Sequence, residues 1–239
     1  MLPVNDNSKP LILIGSNSKM FFLQDMCDEL NITIAGIIDN DYYGNTKEIN
    51  GIPVIDTELN FNNPDQLEYY KNNYNFFLAV NWHPYADPVI KRNRQKRKYL
   101  MDLLDQLDLP CINLVHKTAR IQKTTVLGKN ILVDAYVNIS AENVVEDYVS
   151  FFSYAIVGAN NTIKRNSVFQ RKTGLMHNTV VEQDVYFDLN VNVFVSNVTF
   201  GHSTVIQPCL SLGRGTSVGE MVSLVGKDLR RVYQVPTVG

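Results

Sequence analysis

The chain has 239 residues, of which 45% are hydrophobic and 19% charged, with a formal net charge of -2. This length accommodates one large core or two modest ones. The small net charge argues against general binding to nucleic acid or to an anionic membrane. The longest strongly apolar run, LILIG at 11–15, is too short to span a bilayer, and the first ten residues lack a signal-peptide pattern. Three scattered cysteines without CxxC spacing are typical of reduced thiols, so we expect a cytoplasmic protein without membrane insertion.

The first hundred residues alternate between predicted strands and helices. Residues 18–30 have helical spacing, with Met20, Leu23 and Met26 along one stripe. Strand, helix and strand in this order predict a small parallel sheet, with its ligand at the carboxyl ends of the strands. The predicted strands are 10–15, 32–40, 75–82 and 111–116, and the predicted helices are 18–30 and 87–108.

From about residue 117 the pattern changes to a repeat of six residues. Every sixth position is Ile, Leu, Val or Phe, and the repeat slips by one residue after Val193. A mostly small residue precedes each of these positions by two. The repeated positions are Ile121, Leu127, Val133, Ile139, Val145, Phe151, Val157, Ile163, Phe169, Leu175, Val181, Phe187, Val193, Phe200, Ile206, Leu212, Val218 and Leu224.

A six-residue period fits neither an α-helix nor an alternating strand, and it predicts a parallel β-helix of hexapeptide repeats. The large residue of each hexad points inward, and three hexads close one coil, so the repeat predicts about six coils. The slip predicts a bulge near residues 196–198. We therefore expect two domains, an α/β domain over 1–112 and a β-helix over 113–239.

This combination resembles the bacterial sugar acyltransferases that join a nucleotide-sugar-binding domain to a left-handed β-helix. LILIGSNSKM (11–20), AGIIDNDYYGNTKEINGIPVI (35–55), NFFLAVN (75–81) and INLVHKTARI (112–121) are similar to segments of that family. The chain looks most like the N-acetyltransferases of UDP- or GDP-linked amino-deoxy sugars, with the sialic-acid O-acetyltransferases close by. The resemblance implies a Rossmann-like first domain, a homotrimer, acetyl-CoA as co-substrate and no metal.

The resemblance also implies where the nucleotide sugar binds. The family has a glycine-rich turn after its first strand, whereas this chain keeps one glycine there and adds side chains that can donate hydrogen bonds. An acidic residue after the second strand contacts the base or the ribose in the family. The implied substrate-binding residues are Gly15, Ser16, Asn17, Ser18, Asp39, Asn40 and Asn81.

LMHNTV at 175–180 matches the family's catalytic frame, which places His177 on the outer surface next to an inward Leu175. The resemblance implies that His177 is the general base, and that Asn178 orients it where the family has a carboxylate. An amide can hold a tautomer but gives imidazolium no full negative charge, so we expect a weaker base. A weaker base favours an amine acceptor over a hydroxyl, because the amine attacks through its lone pair.

The acyl-donor site is implied by weaker motifs. Gln170 lies one hexad before His177, and YQVPTVG at 233–239 keeps part of the family's coenzyme A tail. The implied coenzyme-binding residues are Gln170, Lys227, Val235 and Pro236. The basic run KRNRQKRK at 91–98 is either an exposed helix wall or a phosphate-recruiting patch.

Two functions remain open at this point. The first is an acetyl-CoA-dependent sugar N-acetyltransferase of glycan biosynthesis, with sugar O-acetylation as its variant. The second is a catalytically impaired member that only binds a nucleotide sugar, which the loss of the carboxylate and of the glycines favours. Of the other histidines, we interpret His202 as structural and His116 as a cap of the first coil, and His83 has no assignment.

Overall fold

The structure is a computed structural model that describes residues 7–16, 20–80, 88–194, 196–212, 222–224 and 232–234. For 88–91 and for the last two ranges it describes the backbone alone. The chain divides between Leu114 and Val115 into two compact units, an α/β unit and a β-helix unit.

The α/β unit contains a five-stranded sheet in the order β3-β4-β2-β1-β5. Strand β1 pairs in parallel with both β2 and β5, as the alternation of strands and helices predicts. The edge differs from the prediction, because β3 and β4 form an antiparallel hairpin around Asn50 and Gly51, both at positive φ. The elements are β1 (Leu11–Ile14), α1 (Met20–Leu30), β2 (Ile34–Ile38), β3 (Glu48–Ile49), β4 (Ile52–Asp56), a 3₁₀ helix (Glu58–Asn62), α2 (Pro64–Asn73), β5 (Asn75–Leu78) and α3 (Pro88–Gln106).

The helices of this unit follow from local sequence signals. Helix α1 buries the predicted stripe of Met20, Leu23, Met26 and Cys27, and burial raises the pKa of the Cys27 thiol to about 12. Helix α2, which the sequence analysis missed, begins with an Asn63 cap whose side chain accepts hydrogen bonds from two backbone N–H groups of the first turn. Helix α3 buries one stripe at helical spacing, Arg97, Leu100, Met101 and Leu104.

The β-helix unit consists of short strands at regular spacing. Their pairing forms three parallel sheets, here called face one (β7, β10, β13, β16, β19, β22), face two (β8, β11, β14, β17, β20) and face three (β6, β9, β12, β15, β18, β21, β23). Strand β24 pairs antiparallel with β23. The strands are β6 (Leu114–Val115), β7 (Arg120–Ile121), β8 (Val126–Leu127), β9 (Leu132–Val133), β10 (Asn138–Ile139), β11 (Val144–Val145), β12 (Ser150–Phe151), β13 (Ile156–Val157), β14 (Thr162–Ile163), β15 (Val168–Phe169), β16 (Gly174–Leu175), β17 (Val180–Val181), β18 (Tyr186–Phe187), β19 (Asn192–Val193), β20 (Thr199–Phe200), β21 (Val205–Ile206), β22 (Ser211–Leu212), β23 (Val222–Leu224) and β24 (Val232–Gln234).

This register confirms the predicted three hexads per coil. The stacked parallel strands form the predicted left-handed β-helix. Ile139 pairs with Val157, and Val157 pairs with Leu175, so each coil advances by 18 residues. The predicted inward positions from Leu127 to Leu212 are buried in one continuous cluster. Val218 lies outside the described residues, and Leu224 is described by its backbone alone. The interior includes a column of phenyl rings in which Phe169 stacks on both neighbours, with centroid distances of 4.9 and 4.6 Å.

The slip in the repeat is also visible in the structure. Strands β17 and β20 of face two pair Val181 with Phe200. The spacing between these two partners is one residue longer than the 18 residues of a regular coil. The corner that precedes β20 has Asn197 in the left-handed region at φ 61°. The extra residue is therefore accommodated at a corner, and the strands on both sides keep their register.

Candidate active site

His177 stands at the corner between β16 of face one and β17 of face two. Its side chain is exposed, while Leu175 and Thr179 on either side are buried in the β-helix. The repeat produces this arrangement, because Leu175 takes the large inward position and Thr179 the small one. The sequence-based placement of His177 on the outer surface agrees with the structure.

The imidazole of His177 is held by the backbone of the preceding coil. Its Nδ1 atom accepts a hydrogen bond of 2.7 Å from the backbone N–H of Ala159. An amide N–H can only donate, so Nδ1 contributes its lone pair and the neutral ring carries its proton on Nε2. In this tautomer Nε2 is a hydrogen-bond donor.

The hydrogen bond of the Asn178 side chain goes to another residue than His177, which differs from its expected orienting role. Its Oδ1 accepts a hydrogen bond of 2.7 Å from Asn160 Nδ2, one coil earlier. Asn178 has φ 56°, in the left-handed region that asparagine adopts more readily than most residues. Every corner of the β-helix from residue 130 to residue 209 has one such residue, and asparagine recurs there at Asn130, Asn160, Asn166, Asn190 and Asn197. Corner geometry therefore accounts for the asparagine at 178.

Beneath this corner, three buried polar residues form a ladder along the inner side of the coil. Asn143 Oδ1 accepts from the backbone N–H of Asn161 at 2.9 Å, and Asn161 Oδ1 accepts from the backbone N–H of Thr179 at 2.8 Å. All three residues are buried. The sequence shows Asn143 and Asn161 only as exceptions to the small residues of the repeat, so their role was missed. The ladder joins the coil of His177 to the two coils before it.

The residues implied for coenzyme A are mostly outside what the structure describes. Gln170 is described, and its side chain is buried and donates a hydrogen bond of 2.7 Å to the Tyr186 hydroxyl. Lys227, Val235 and Pro236 lie outside the described residues. The coenzyme site thus stays a prediction.

The two other described histidines are held by different partners. His202 stands at a different corner, with Nδ1 3.1 Å from the backbone carbonyl of Gln183. His116 Nδ1 lies 2.8 Å from the Thr118 hydroxyl at the start of the first coil. His83 lies outside the described residues.

In the α/β unit, the carboxyl ends of β1 and β2 bring together Gly15, Ser16, Asp39 and Asn40. Gly15 has φ 71°, and a Cβ there would collide with Val80, so only glycine fits this turn. The Ser16 hydroxyl donates to Asp39 Oδ2 at 2.7 Å. Asn17, Ser18 and Asn81 lie outside the described residues.

Asp39 is fully buried and both of its oxygens are engaged inside the unit. Oδ1 accepts from Lys96 Nζ at 2.5 Å and from the backbone N–H of Asp41 at 2.9 Å. Lys96 also donates to Asp41 Oδ2 at 2.7 Å, and Arg92 pairs with Asp41 at 2.8 Å. Burial lowers the pKa of Lys96, but its hydrogen bonds to Asp39 and Asp41 outweigh this and raise it overall. The hydrogen bond from Lys96 lowers the pKa of Asp41.

The basic run on α3 is therefore not one solvated wall. Lys96 turns toward Asp39 and Asp41, and Arg97 is buried with its guanidinium donating to the carbonyl of Val80. Arg92 keeps most of its side chain exposed. A run of six basic residues in eight does not reveal which of them face inward, so Lys96 was missed as a partner of Asp39.

A buried carboxyl group lies next to this cluster. Glu58 Oε2 accepts a hydrogen bond of 2.6 Å from the backbone N–H of Asn40. Burial raises the pKa of Glu58. Asn40 Oδ1 in turn accepts from the Thr57 hydroxyl at 3.0 Å. These contacts fix the loop after β2, and nothing in the sequence marked Glu58 or Thr57 as part of the site.

Two features of the part of the chain that the structure describes bear on metal ions and membranes. There, no group of three or more His, Cys, Asp or Glu side chains is arranged to hold a metal ion. Among the same residues, no helix has both the length and the apolar composition needed to cross a bilayer.

Comparison with known proteins gives matches in structure alone. No family model matches the sequence, and no curated protein matches it. A histidine-to-asparagine variant of perosamine N-acetyltransferase from Caulobacter crescentus, in complex with CoA and GDP-perosamine, is similar with a TM-score of 0.75 and 19% identity, over 92% of this chain and 94% of that chain. PerB from Caulobacter crescentus, in complex with CoA and GDP-perosamine, has a TM-score of 0.74 and 18% identity, over 92% and 95% of the two chains.

WeeI from Acinetobacter baumannii AYE has a TM-score of 0.72 and 15% identity, over 95% of this chain and the whole of that chain. The shared features are an α/β unit followed by a parallel β-helix over nearly the full length. The comparisons therefore show that this chain shares the fold of these bacterial proteins, an α/β unit followed by a β-helix.

Proposed function

We propose that this chain is an acetyl-CoA-dependent N-acetyltransferase that acts on the amino group of a UDP- or GDP-linked amino-deoxy sugar in glycan biosynthesis. The observation that carries the proposal is the exposed His177 imidazole, held in one orientation at a β-helix corner. The shared fold with a perosamine N-acetyltransferase in complex with CoA and GDP-perosamine supports the class of both substrates.

The α/β unit contains the residues proposed to bind the nucleotide. Gly15 follows the carboxyl end of β1 and has no side chain. Its turn therefore lets backbone N–H groups come close to a pyrophosphate. Both oxygens of the Asp39 carboxylate already accept hydrogen bonds from Ser16 and Lys96. We therefore propose that Asp39 does not contact the ligand itself but holds the loop that does. Asn40 at the start of this loop, with Asn17, Ser18 and Asn81, completes the proposed contacts.

The reaction is a direct transfer between two bound substrates. The lone pair of the sugar amine attacks the thioester carbonyl, a carbon–nitrogen bond forms, and the carbonyl oxygen becomes negative. The carbon–sulfur bond then breaks and coenzyme A leaves as a thiolate. The amide nitrogen loses one proton, which balances the charges.

The expected role of His177 as general base depends on its ring orientation. A base must offer a lone pair, and Nε2 has none while Nδ1 accepts from Ala159. His177 takes a proton from the substrate only if this hydrogen bond breaks and the proton moves to Nδ1. A protonated Nε2 disfavours a hydroxyl acceptor more strongly than an amine, which supports N-acetylation over O-acetylation.

A homotrimer and a cytoplasmic location belong to the same proposal. Ile156, Met176 and Phe194 are exposed apolar side chains in strands of face one or directly after them, and His177 follows β16 of the same face by two residues. A second copy of the chain packed there would cover them. None of the three cysteines, all of them described, forms a disulfide, which supports a reducing compartment. Light scattering tests the trimer, with an expected mass three times that of the 27.1 kDa chain.

The decisive experiment measures thioester consumption across UDP- and GDP-linked amino sugars and their hydroxyl analogues. We expect turnover with an amino sugar, and a loss of roughly 100-fold or more in kcat for His177→Ala. His202→Ala is the matched control and keeps its activity. Tight binding of a sugar nucleotide without turnover favours the impaired, binding-only alternative, and turnover of a hydroxyl analogue favours O-acetylation.

A further inference from the structure

We infer that the peptide bond between Gly158 and Ala159 fixes the tautomer of His177 and that the buried amides of Asn143 and Asn161 position this peptide. In that tautomer the proton is on Nε2, and His177 serves the transfer as a hydrogen-bond donor. The inference deepens the proposed function and rests on it for the donor role alone.

The peptide is engaged on both of its polar atoms. Its N–H, from Ala159, donates to His177 Nδ1 at 2.7 Å. Its carbonyl, from Gly158, accepts from Asn143 Nδ2 at 2.8 Å and from Asn161 Nδ2 at 2.9 Å. Hydrogen bonds at the two ends of one peptide polarise each other, so the amide donors strengthen the N–H that holds the ring.

The direction of the two side-chain amides is fixed by their other contacts. Asn143 Oδ1 accepts from the backbone N–H of Asn161, and Asn161 Oδ1 accepts from the backbone N–H of Thr179. An amide oxygen that faces a backbone donor leaves the Nδ2 group for an acceptor, here the Gly158 carbonyl. The orientation of both asparagines therefore follows from the backbone.

Close approach of the ring requires the glycine. A Cβ at residue 158 would lie 2.9 Å from His177 Nδ1 and 2.8 Å from the carbonyl carbon of Met176. Both distances are shorter than real Cβ contacts, and one of the partners is backbone. Gly158 thus lets the coil of His177 lie on the coil of Ala159.

This tautomer determines what His177 can do for the reaction. Nε2–H is the ring atom left to interact with substrate, and it can donate to the acyl oxygen as this oxygen becomes negative. The amine forms its bond to the acyl carbon, the carbon–sulfur bond breaks, and the proton from the nitrogen passes to solvent. The ring keeps its own proton throughout, so no net transfer through His177 is needed.

His202 provides an internal reference of the opposite kind. Its Nδ1 lies 3.1 Å from the carbonyl of Gln183, and a carbonyl can only accept. Its Nε2 lies 3.1 Å from the Ser203 hydroxyl, which can donate to it. Neutral His202 therefore carries its proton on Nδ1, and the two histidines are expected to differ within one protein.

The test is nitrogen-15 NMR of the full chain labelled at histidine, at a pH where the rings are neutral. His177, assigned from the spectrum of His177→Gln, is expected to be protonated on Nε2 alone, and His202 on Nδ1. If His177 of the wild-type protein has its proton on Nδ1, or shows the tautomer mixture of free imidazole, the inference is overturned. This readout needs no substrate, so it separates the inference from the proposed function.

Asn161→Val tests the positioning role, with Ser167→Ala as the matched control. Valine already occupies the same column at Val198, where it is buried, and its side chain has no hydrogen-bond donor. Ser167 is equally buried, takes the next hexad position and bonds to a different carbonyl, that of Glu182.

We expect Asn161→Val to shift His177 toward a tautomer mixture and to lower kcat by roughly 10-fold to 100-fold with KM little changed. Ser167→Ala should change neither. An unchanged tautomer together with unchanged kcat in Asn161→Val overturns the positioning role. If wild-type protein has the expected tautomer but turns over no amino sugar, the positioning stands and the proposed function falls.

Discussion

The two units of this chain position their polar side chains by different means. In the β-helix, the corner that presents His177 is determined by backbone pairing every 18 residues, and the ring is held by a backbone N–H. In the α/β unit, Asp39 is held by the side chains of Ser16 and Lys96, which lie far from it in sequence. One site is built from repeated backbone geometry and the other from individual side-chain pairs.

This difference determines how each site responds to substitution. A backbone partner survives most changes of side chain, so the His177 corner should respond only to substitutions that move the peptide between Gly158 and Ala159. A side-chain partner is lost with a single substitution, and the charge left behind is buried. The predictions below probe both kinds of site, from the largest expected effect on stability to the smallest.

The largest effect is expected in the column of phenyl rings. Phe169→Ala leaves a cavity between Phe151 and Phe187, and we expect the free energy of unfolding to fall by about 4 kcal/mol. Urea denaturation measures this change in the free energy of unfolding. Phe21→Ala, at a well-exposed phenylalanine of α1, is the control and should change the same quantity by less than about 0.5 kcal/mol. Similar losses in both variants would contradict a stacked interior.

The ion pairs of the α/β unit come next. Lys96→Met removes the cation from a fully buried Asp39, and an unpaired buried carboxylate costs about 3 kcal/mol. Arg92→Met removes only an exposed partner of Asp41 and should cost less than about 1 kcal/mol. Equal effects of the two variants would show that Asp39 does not depend on Lys96.

The pH dependence of the same pair has a definite sign. The pKa of Lys96 is raised in the folded protein. Its contribution to the free energy of unfolding is therefore complete below about pH 10.4 and is lost as the pH rises through the raised pKa. The pKa of Asp41 is lowered, so its contribution is complete above about 3.9 and is lost as pH falls through the lowered value. The stability difference between wild type and Lys96→Met should therefore shrink as pH rises through the raised pKa of Lys96. A difference that already shrinks between about pH 7 and about pH 9 would contradict this assignment.

Two glycines of face one give the most local comparison. Gly158→Ala puts a Cβ against backbone of the next coil, and we expect a loss of about 2 kcal/mol in unfolding free energy. Gly174→Ala meets only the end of the Asn192 side chain, which can move, and should cost less. Thermal unfolding of both variants measures the difference. A greater loss in Gly174→Ala would contradict the close stacking of the His177 coil.

Much of the β-helix was predictable because its structure repeats with its sequence. An inward position every sixth residue fixes which residues lie at corners, so His177 was placed correctly on the outer surface. The partner of its ring was not predictable, since a backbone N–H carries no sequence signal. Asn178 invited a catalytic interpretation although a left-handed corner by itself favours asparagine there.

The α/β unit was predicted less completely. Apolar runs revealed β1, β2, β5 and α3, whereas α2 and the hairpin of β3 and β4 are too polar or too short for periodicity to show. The cap at Asn63 followed by Pro64 was a readable start signal for α2. The pairing of Lys96 with Asp39 spans 57 residues, and only the packing of α3 brings them together.

A crystal structure of the protein with coenzyme A and a nucleotide-linked amino sugar tests the central claim most directly. The account predicts the coenzyme sulfur and the sugar amine beside the corner of His177, with Nε2 facing the position of the acyl oxygen and Nδ1 still on the N–H of Ala159. Both substrates bound at a distance from His177, or the ring turned away from Ala159 in the complex, would contradict it.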